Sequence, residues 1–350
     1  MRRLRPRSVV VTIMVLVALV AGSSALTVAQ DATPGPTSTP HPFTGDSAWI
    51  AYYGPQGIGL VHPDGTGDHT IDTGVPGESL LANWSPDGAK LVFTTRGGET
   101  EPLYEYDLAS KTSRQLFECE DPCVGDDEPV YSPDGRTVLF IRALGPLTDT
   151  GPSDCGLWIG DVETGEVTQL TSNTDPPCDR EYFAHWSPDG TQITYWRDPY
   201  KDGQPTGTSV WVMDADGTTA RGLTDPEMVA GDPDWSPDGE WIVFSTYPLS
   251  EYQCCQVSNL YRMHPDGSGM EQLTHYTDES LRATQPRYTP DGEWIIFTAV
   301  TPDTRSLWVI PAEGGEPIVL VEGGIYTHGA WQPMPEGVPG GSPEAATPVV

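Results

Sequence analysis

One five-residue phrase returns along the whole chain. It reads Trp84-Ser-Pro-Asp-Gly88, Tyr131-Ser-Pro-Asp-Gly135, Trp186-Ser-Pro-Asp-Gly190, Trp235-Ser-Pro-Asp-Gly239 and Tyr288-Thr-Pro-Asp-Gly292. A degenerate sixth copy is Trp331-Gln-Pro-Met-Pro335. Successive copies are 47, 55, 49, 53 and 43 residues apart, the length of a four-stranded propeller blade. Each residue has a mechanical role. Pro presets φ for the second position of a tight turn, Ser and Asp bond nearby backbone N–H groups, and Gly takes the left-handed conformation that ends the turn. Asp87, Gly88, Asp134, Gly135, Asp189, Gly190, Asp238, Gly239, Asp291 and Gly292 are therefore structural turn residues.

The segment after each turn repeats as well. A β-branched and aromatic run comes next: Leu91-Val-Phe93, Val138-Leu-Phe140, Ile193-Thr-Tyr195, Ile242-Val-Phe244 and Ile295-Ile-Phe297. Such runs favour strands. A third strand succeeds it at Leu103-Tyr104, Leu157-Trp158, Val210-Trp211, Leu260-Tyr261 and Leu307-Trp308, then a second turn and a fourth strand ending in Leu-Thr or a variant. No helical period intervenes. The first folded segment starts directly at a second strand, Trp49 to Tyr53, and the C-terminal side supplies a lone first strand at Trp331. Together they complete one blade. The expectation is an all-β, six-bladed propeller of four-stranded antiparallel blades, closed by a composite of both chain ends, which removes an open sheet edge.

The order Trp-Ser-Pro-Asp-Gly, Ile-x-Phe, Leu-Tyr, Asp-Gly, Leu-Thr resembles the repeat of the TolB-type (WD40-like, PD40) propeller over nearly all of Trp49 to Trp331. That resemblance implies fold more than function. The same repeat forms the periplasmic Tol component, the gating domain of prolyl oligopeptidases and several carbohydrate-active propellers. A separate N-terminal α/β domain, which TolB carries, is not evident in the sequence, so a Tol role does not carry over.

The ends read differently from the repeats. Arg2, Arg3, Arg5 and Arg7 precede an apolar run from Val9 to Ala21 and then small residues, the pattern of an export signal. Residues 1–29 are expected to be a signal peptide, with an uncleaved signal anchor as the alternative. Residues 30–43 form a Pro/Thr-rich linker, 44–333 the propeller, and 334–350 a disordered Pro/Gly-rich tail. The expected location is periplasmic, cell-surface or secreted. Acidic residues outnumber basic ones 50 to 18, for a net charge of −32. A field of that sign repels phosphate backbones, which excludes nucleic acid as a partner.

Strand connectivity places the two sets of short turns on one face of the ring, the turn face. The loops between strands two and three, and those between blades, fall on the other, the loop face. These loops vary, as functional loops do, and all six cysteines map to them: Cys119, Cys123, Cys155, Cys178, Cys254 and Cys255. In an exported chain they read as disulfides. Cys155 with Cys123 or with Cys178, and Cys254 with Cys255, are the candidate pairings. Zinc at Cys119 and Cys123 lacks a second ligand pair.

The residues just before the turn aromatics, Asn83, Val130, His185, Asp234, Arg287 and Ala330, face the channel mouth. Asn83, His185, Asp234 and Arg287 are the ligand-binding candidates, with blade-to-blade hydrogen bonding as their alternative role. No cofactor is expected. The alternatives are Ca²⁺ at the acidic loop Gly125-Asp-Asp-Glu128, or a divalent metal on His185, His275 and His328. No Gly-x-Ser-x-Gly, His-Glu-x-x-His or phosphate loop occurs. The resulting expectation is a non-enzymatic module binding a protein, peptide or glycan of the cell envelope. A metal-assisted polysaccharide lyase or a membrane-anchored sensor ectodomain are the alternatives.

Overall fold

The computed structural model describes Phe43 and residues 48–333, apart from 99, 146–153, 173–179, 199, 202–203, 206, 248–256, 278–280 and 325–326. The chain divides into Met1–Pro40 and His41–Val350, and all described residues belong to the second unit. The signal segment, nearly all of the linker, the tail and Cys178, Cys254 and Cys255 lie outside the described residues.

Six four-stranded antiparallel sheets succeed one another. Their inner strands are Thr327–Trp331 (blade 1), Glu78–Trp84 (blade 2), Cys123–Tyr131 (blade 3), Arg180–Trp186 (blade 4), Ala230–Trp235 (blade 5) and Arg282–Tyr288 (blade 6). Each inner strand contacts that of the next blade, and blade 6 returns to blade 1. The ring is closed as expected: Thr327–Trp331 pairs with Ile50–Gly54 through Ile50 opposite Trp331 and Ala51 opposite Ala330. Gln332 stands where the other turns have Ser or Thr, and it clasps the seam. Its N–H donates to Trp49 O at 2.8 Å, its side-chain oxygen accepts from Trp49 N–H at 3.0 Å, and its amide donates to Gly88 O at 2.7 Å. Phe43, placed by sequence in the linker, is instead buried against Trp294 and Trp331. An aromatic at that point has apolar surface to hide that the Pro/Thr stretch before it lacks.

The core sits between blades. The repeated aromatic of each second strand, Phe93, Phe140, Tyr195, Phe244 and Phe297, is almost fully buried. Each such side chain contributes about 1.5–3 kcal/mol by leaving water. The turns close as their chemistry dictates. In blade 5, Ser236 Oγ donates to Asp238 at 2.6 Å, and the Glu240 N–H donates to the same carboxylate oxygen at 2.9 Å. The Gly239 N–H returns to Ser236 O at 2.9 Å. These bonds hold the Asp238 carboxyl below its ordinary range, and those of Asp87, Asp134 and Asp189 likewise. A carboxyl lowered by folding stabilises above its unfolded pKa, and that stability is lost as pH falls through the folded value. Asp238→Ala should therefore cost at most about 1 kcal/mol at neutral pH, because solvent screens this exposed carboxylate. Its urea midpoint should converge on that of the parent in acid.

The repeat pattern alone does not predict one feature of the inner strands. Each carries a bulge, visible as a register shift between Leu80 and Asn83, Asp127 and Val130, Tyr182 and His185, Gly231 and Asp234, and Thr284 and Arg287. Leu81, Glu128, Phe183, Asp232 and Gln285 all sit there at positive φ, 49° to 55°. Left-handed non-Gly residues each cost about 1–2 kcal/mol, so a fivefold repeat is an architectural device. A signal exists: two residues before the turn aromatic stand Ala82, Pro129, Ala184, Pro233, Pro286 and Gly329. Three prolines in interior strands cannot donate to a ladder and announce a bulge. Among the described residues, two further elements lie outside the repeat, the small hairpin Tyr200–Lys201 with Gln204–Pro205 and a short 3-10 turn at Pro226–Met228.

Candidate functional site

The bulges turn backbone N–H groups and side chains of the inner strands toward the channel. The Phe183 N–H donates to Glu128 Oε2 of the preceding blade at 2.5 Å, and the Gln285 N–H donates to Asp232 Oδ2 at 3.0 Å. Asp232 also accepts from Ser245 Oγ at 2.8 Å and from the Tyr247 hydroxyl. Next to this layer, three of the four channel candidates come together from blades 4, 5 and 6. Arg287 Nη1 lies 2.7 Å from His185 Nδ1 and 3.8 Å from Asp234 Oδ1, and His185 Nδ1 lies 3.7 Å from Asp234. Their side chains are 12%, 6% and 16% exposed for Arg287, His185 and Asp234. Asp234 also accepts from the Tyr288 N–H at 2.9 Å. Asn83 stands apart, donating to Pro129 O of the next blade at 3.0 Å. It fills the blade-to-blade role.

The electrostatics arise from burial. Desolvation raises the carboxyl groups of Glu128, Asp232 and Asp234, and the Arg287 charge opposes the rise in all three. Desolvation likewise lowers Arg287, against the pull of the same carboxylates. Among the described residues, this cluster sets one guanidinium among three acids and an imidazole, a set able to bind a polar ligand or move a proton.

Several expectations are corrected by the geometry. Gly125-Asp-Asp-Glu128 is strand, not an acidic loop, and its carboxylates diverge. Asp126 is buried in an ion pair with Arg142 at 2.7 Å, Asp127 pairs with Arg96 of blade 2 at 3.1 Å, and Glu128 turns to blade 4. Strand alternation with a bulge separates them, so they do not converge on one cation. His275 is exposed in the loop after Glu271–Gln272, at the opposite end of the strands from buried His185, and the two do not meet. The His328 side chain lies outside the described residues. The Cys119 and Cys123 sulfurs are joined, 2.08 Å apart, across the turn that leads into the inner strand of blade 3. This replaces the pairing of Cys123 with Cys155, because four residues of separation already bring the two Cα atoms to 5.1 Å. With Asp126 they are, among the described residues, the one grouping of potential metal donors. Joined sulfurs offer a cation no thiolate.

No family model matches the chain. Among solved structures, TolB from Acinetobacter baumannii superposes with a TM-score of 0.62 at 18% identity, over 83% of this chain and 68% of that one. A putative TolB from Agrobacterium tumefaciens gives 0.58 at 20% identity, over 83% and 99%. The fold is that of the TolB-type propeller. The same TolB-type arrangement extends to an oligogalacturonate lyase in complex with manganese, with a TM-score of 0.53 at 19% identity over 76% of this chain and 70% of the lyase.

Curated relatives of this TolB-type chain widen the picture. An uncharacterized protein of Agrobacterium fabrum is 29% identical over 63% of this chain and 66% of its own length. The uncharacterized peptidase YuxL of Bacillus subtilis is 26% identical over 51% of this chain and 30% of its own. Dipeptidyl-peptidase 5 of Porphyromonas gingivalis is 22% identical over 63% and 32%. The alignments thus span less than two thirds of these relatives. They nevertheless overturn the expectation of a non-enzymatic chain. Peptidases are among the relatives, and a motif search cannot read an activity whose residues are dispersed in sequence. Among the described residues, no helix is long and apolar enough to cross a membrane.

Proposed function

We propose that this TolB-type propeller is a binding module of the cell envelope or exterior, taking a protein or peptide partner at its central channel. The observation that supports this reading is the cluster of His185, Asp234 and Arg287, backed by Glu128 and Asp232. Four inner strands assemble it, and a channel mouth with a few converging polar groups is a site of recognition. Export rests on the N-terminal pattern, and the loop cysteines fit an oxidising compartment. Affinity capture from an envelope fraction tests it, with the full chain as bait. Retention of a defined protein by the parent and its loss with Asp234→Asn and with His185→Ala is the expected outcome. Equal capture by all three would refute a channel-centred site.

The peptidase relatives favour a second reading, in which the propeller admits peptides to a hydrolytic centre. Release of amines from fluorogenic peptide libraries by the full chain would support it. A preparation that neither cleaves such peptides nor reacts with a fluorophosphonate serine probe would remove it.

A further inference from the structure

Four rings crowd the loop-face end of the wall between blades 4 and 5. Trp196 lies beside Tyr182, Phe183 and Tyr247, with ring centroids at 5.5, 6.0 and 6.1 Å. All four are half-buried. Trp196 is laid flat over Gly231, where an added Cβ would stand 2.2 Å from its Cε3. Phe183 is the bulge residue of blade 4, so this aromatic patch reaches the channel itself. Carboxylates are built into its rim: the Tyr247 hydroxyl bonds Asp232, and the Phe183 N–H bonds Glu128. Among the described residues, the buried Trp196 indole N–H meets no acceptor.

Aromatic faces backed by carboxylates select an organic cation. A hard metal ion would need converging oxygens, and here two of the acids already serve backbone and hydroxyl donors. We propose that this patch binds the Arg or Lys side chain of a partner polypeptide. The chain's net charge of −32 steers such a segment inward. The inference rests on the channel-binding reading above and names its ligand chemistry.

Calorimetry on the full chain tests it with three capped tripeptides, acetyl-Gly-X-Gly-amide with Arg, Gln or Glu at X, and with free methylguanidine. The Arg peptide should bind at least about tenfold more tightly than the Gln peptide, and the Glu peptide should not bind. Trp196→Leu should remove about a tenfold preference for Arg while circular dichroism stays unchanged. Tyr247→Phe, which keeps the ring, should retain most of it. Equal affinity for Arg and Gln peptides overturns the cation site. Methylguanidine binding as tightly as the peptide overturns the polypeptide assignment. If Trp196→Leu unfolds the chain, Phe183→Leu carries the same expectation. Should envelope capture depend on Asp234 while the Arg peptide fails to bind, this inference falls and the channel reading stands. Failure of both removes both.

Discussion

A chain ending after Tyr326 should lose its cooperative unfolding transition. Residues 327–350 include the inner strand of blade 1, and removing it takes away the partner of Ile50–Gly54 and the Gln332 clasp. It also bares Phe43 and Trp294, which pack on Trp331 or beside it. Trp331 is only partly buried, so its loss costs less than the about 3–5 kcal/mol of a fully buried Trp, and an orphaned strand edge adds to that and invites association. The sum rivals the entire stability of about 5–15 kcal/mol typical of a domain. Urea denaturation monitored by tryptophan fluorescence should show a broad, early transition and aggregation. A truncated chain with the parental midpoint would show that the seam is ornamental. The single change Gln332→Ala should lower stability modestly, by about 1–2 kcal/mol.

Arg287→Leu should be the most damaging substitution in the channel. The guanidinium faces Asp234 directly, and its charge offsets the desolvation of Asp232 and Glu128 as well. Removing one partner of a buried ionic set costs about 3–5 kcal/mol, because the remaining charges stay desolvated. The direction of the shifts sets the pH dependence. All three carboxyls are raised by burial, so in the variant their cost is present above their folded pKa values and fades as protonation neutralises them. The stability deficit should shrink as the solution is acidified through the raised folded pKa values of these carboxyls. A deficit constant across that range would mean that Arg287 packs rather than neutralises.

The ring, its blade count and its closure are legible in the sequence because they rest on short-range chemistry that repeats. Ser-Pro-Asp-Gly can only be a tight turn, and Ile-x-Phe flanked by turns can only be a buried strand. The meeting of His185, Asp234 and Arg287 is also within reach, since one register position per blade lines the channel. Asn83 shares that register yet turns to Pro129, because a short amide finds a neighbouring carbonyl before it finds the axis. The second layer, Glu128, Asp232 and Gln285, is hidden. A bulge shifts side-chain direction by one residue, and alternation read straight through it points the wrong way. The Ala, Pro or Gly after each bulge residue is the available clue. The cysteines fail differently: six thiols allow fifteen pairings, and sequence alone does not rank a four-residue loop above a bridge between loops.

The bulge residues alternate in character around the axis: Leu81, then Glu128, then Phe183, then Asp232, then Gln285. Each acid serves the amide of the blade after it, and that blade brings a neutral side chain. A single blade is therefore not an interchangeable part. Transplanting blade 4 behind blade 2 would set its amide beside Leu81, which has nothing to offer it. Blades 3 and 4, or 5 and 6, carry donor and acceptor together, so the smallest portable cassette in this ring is two blades long.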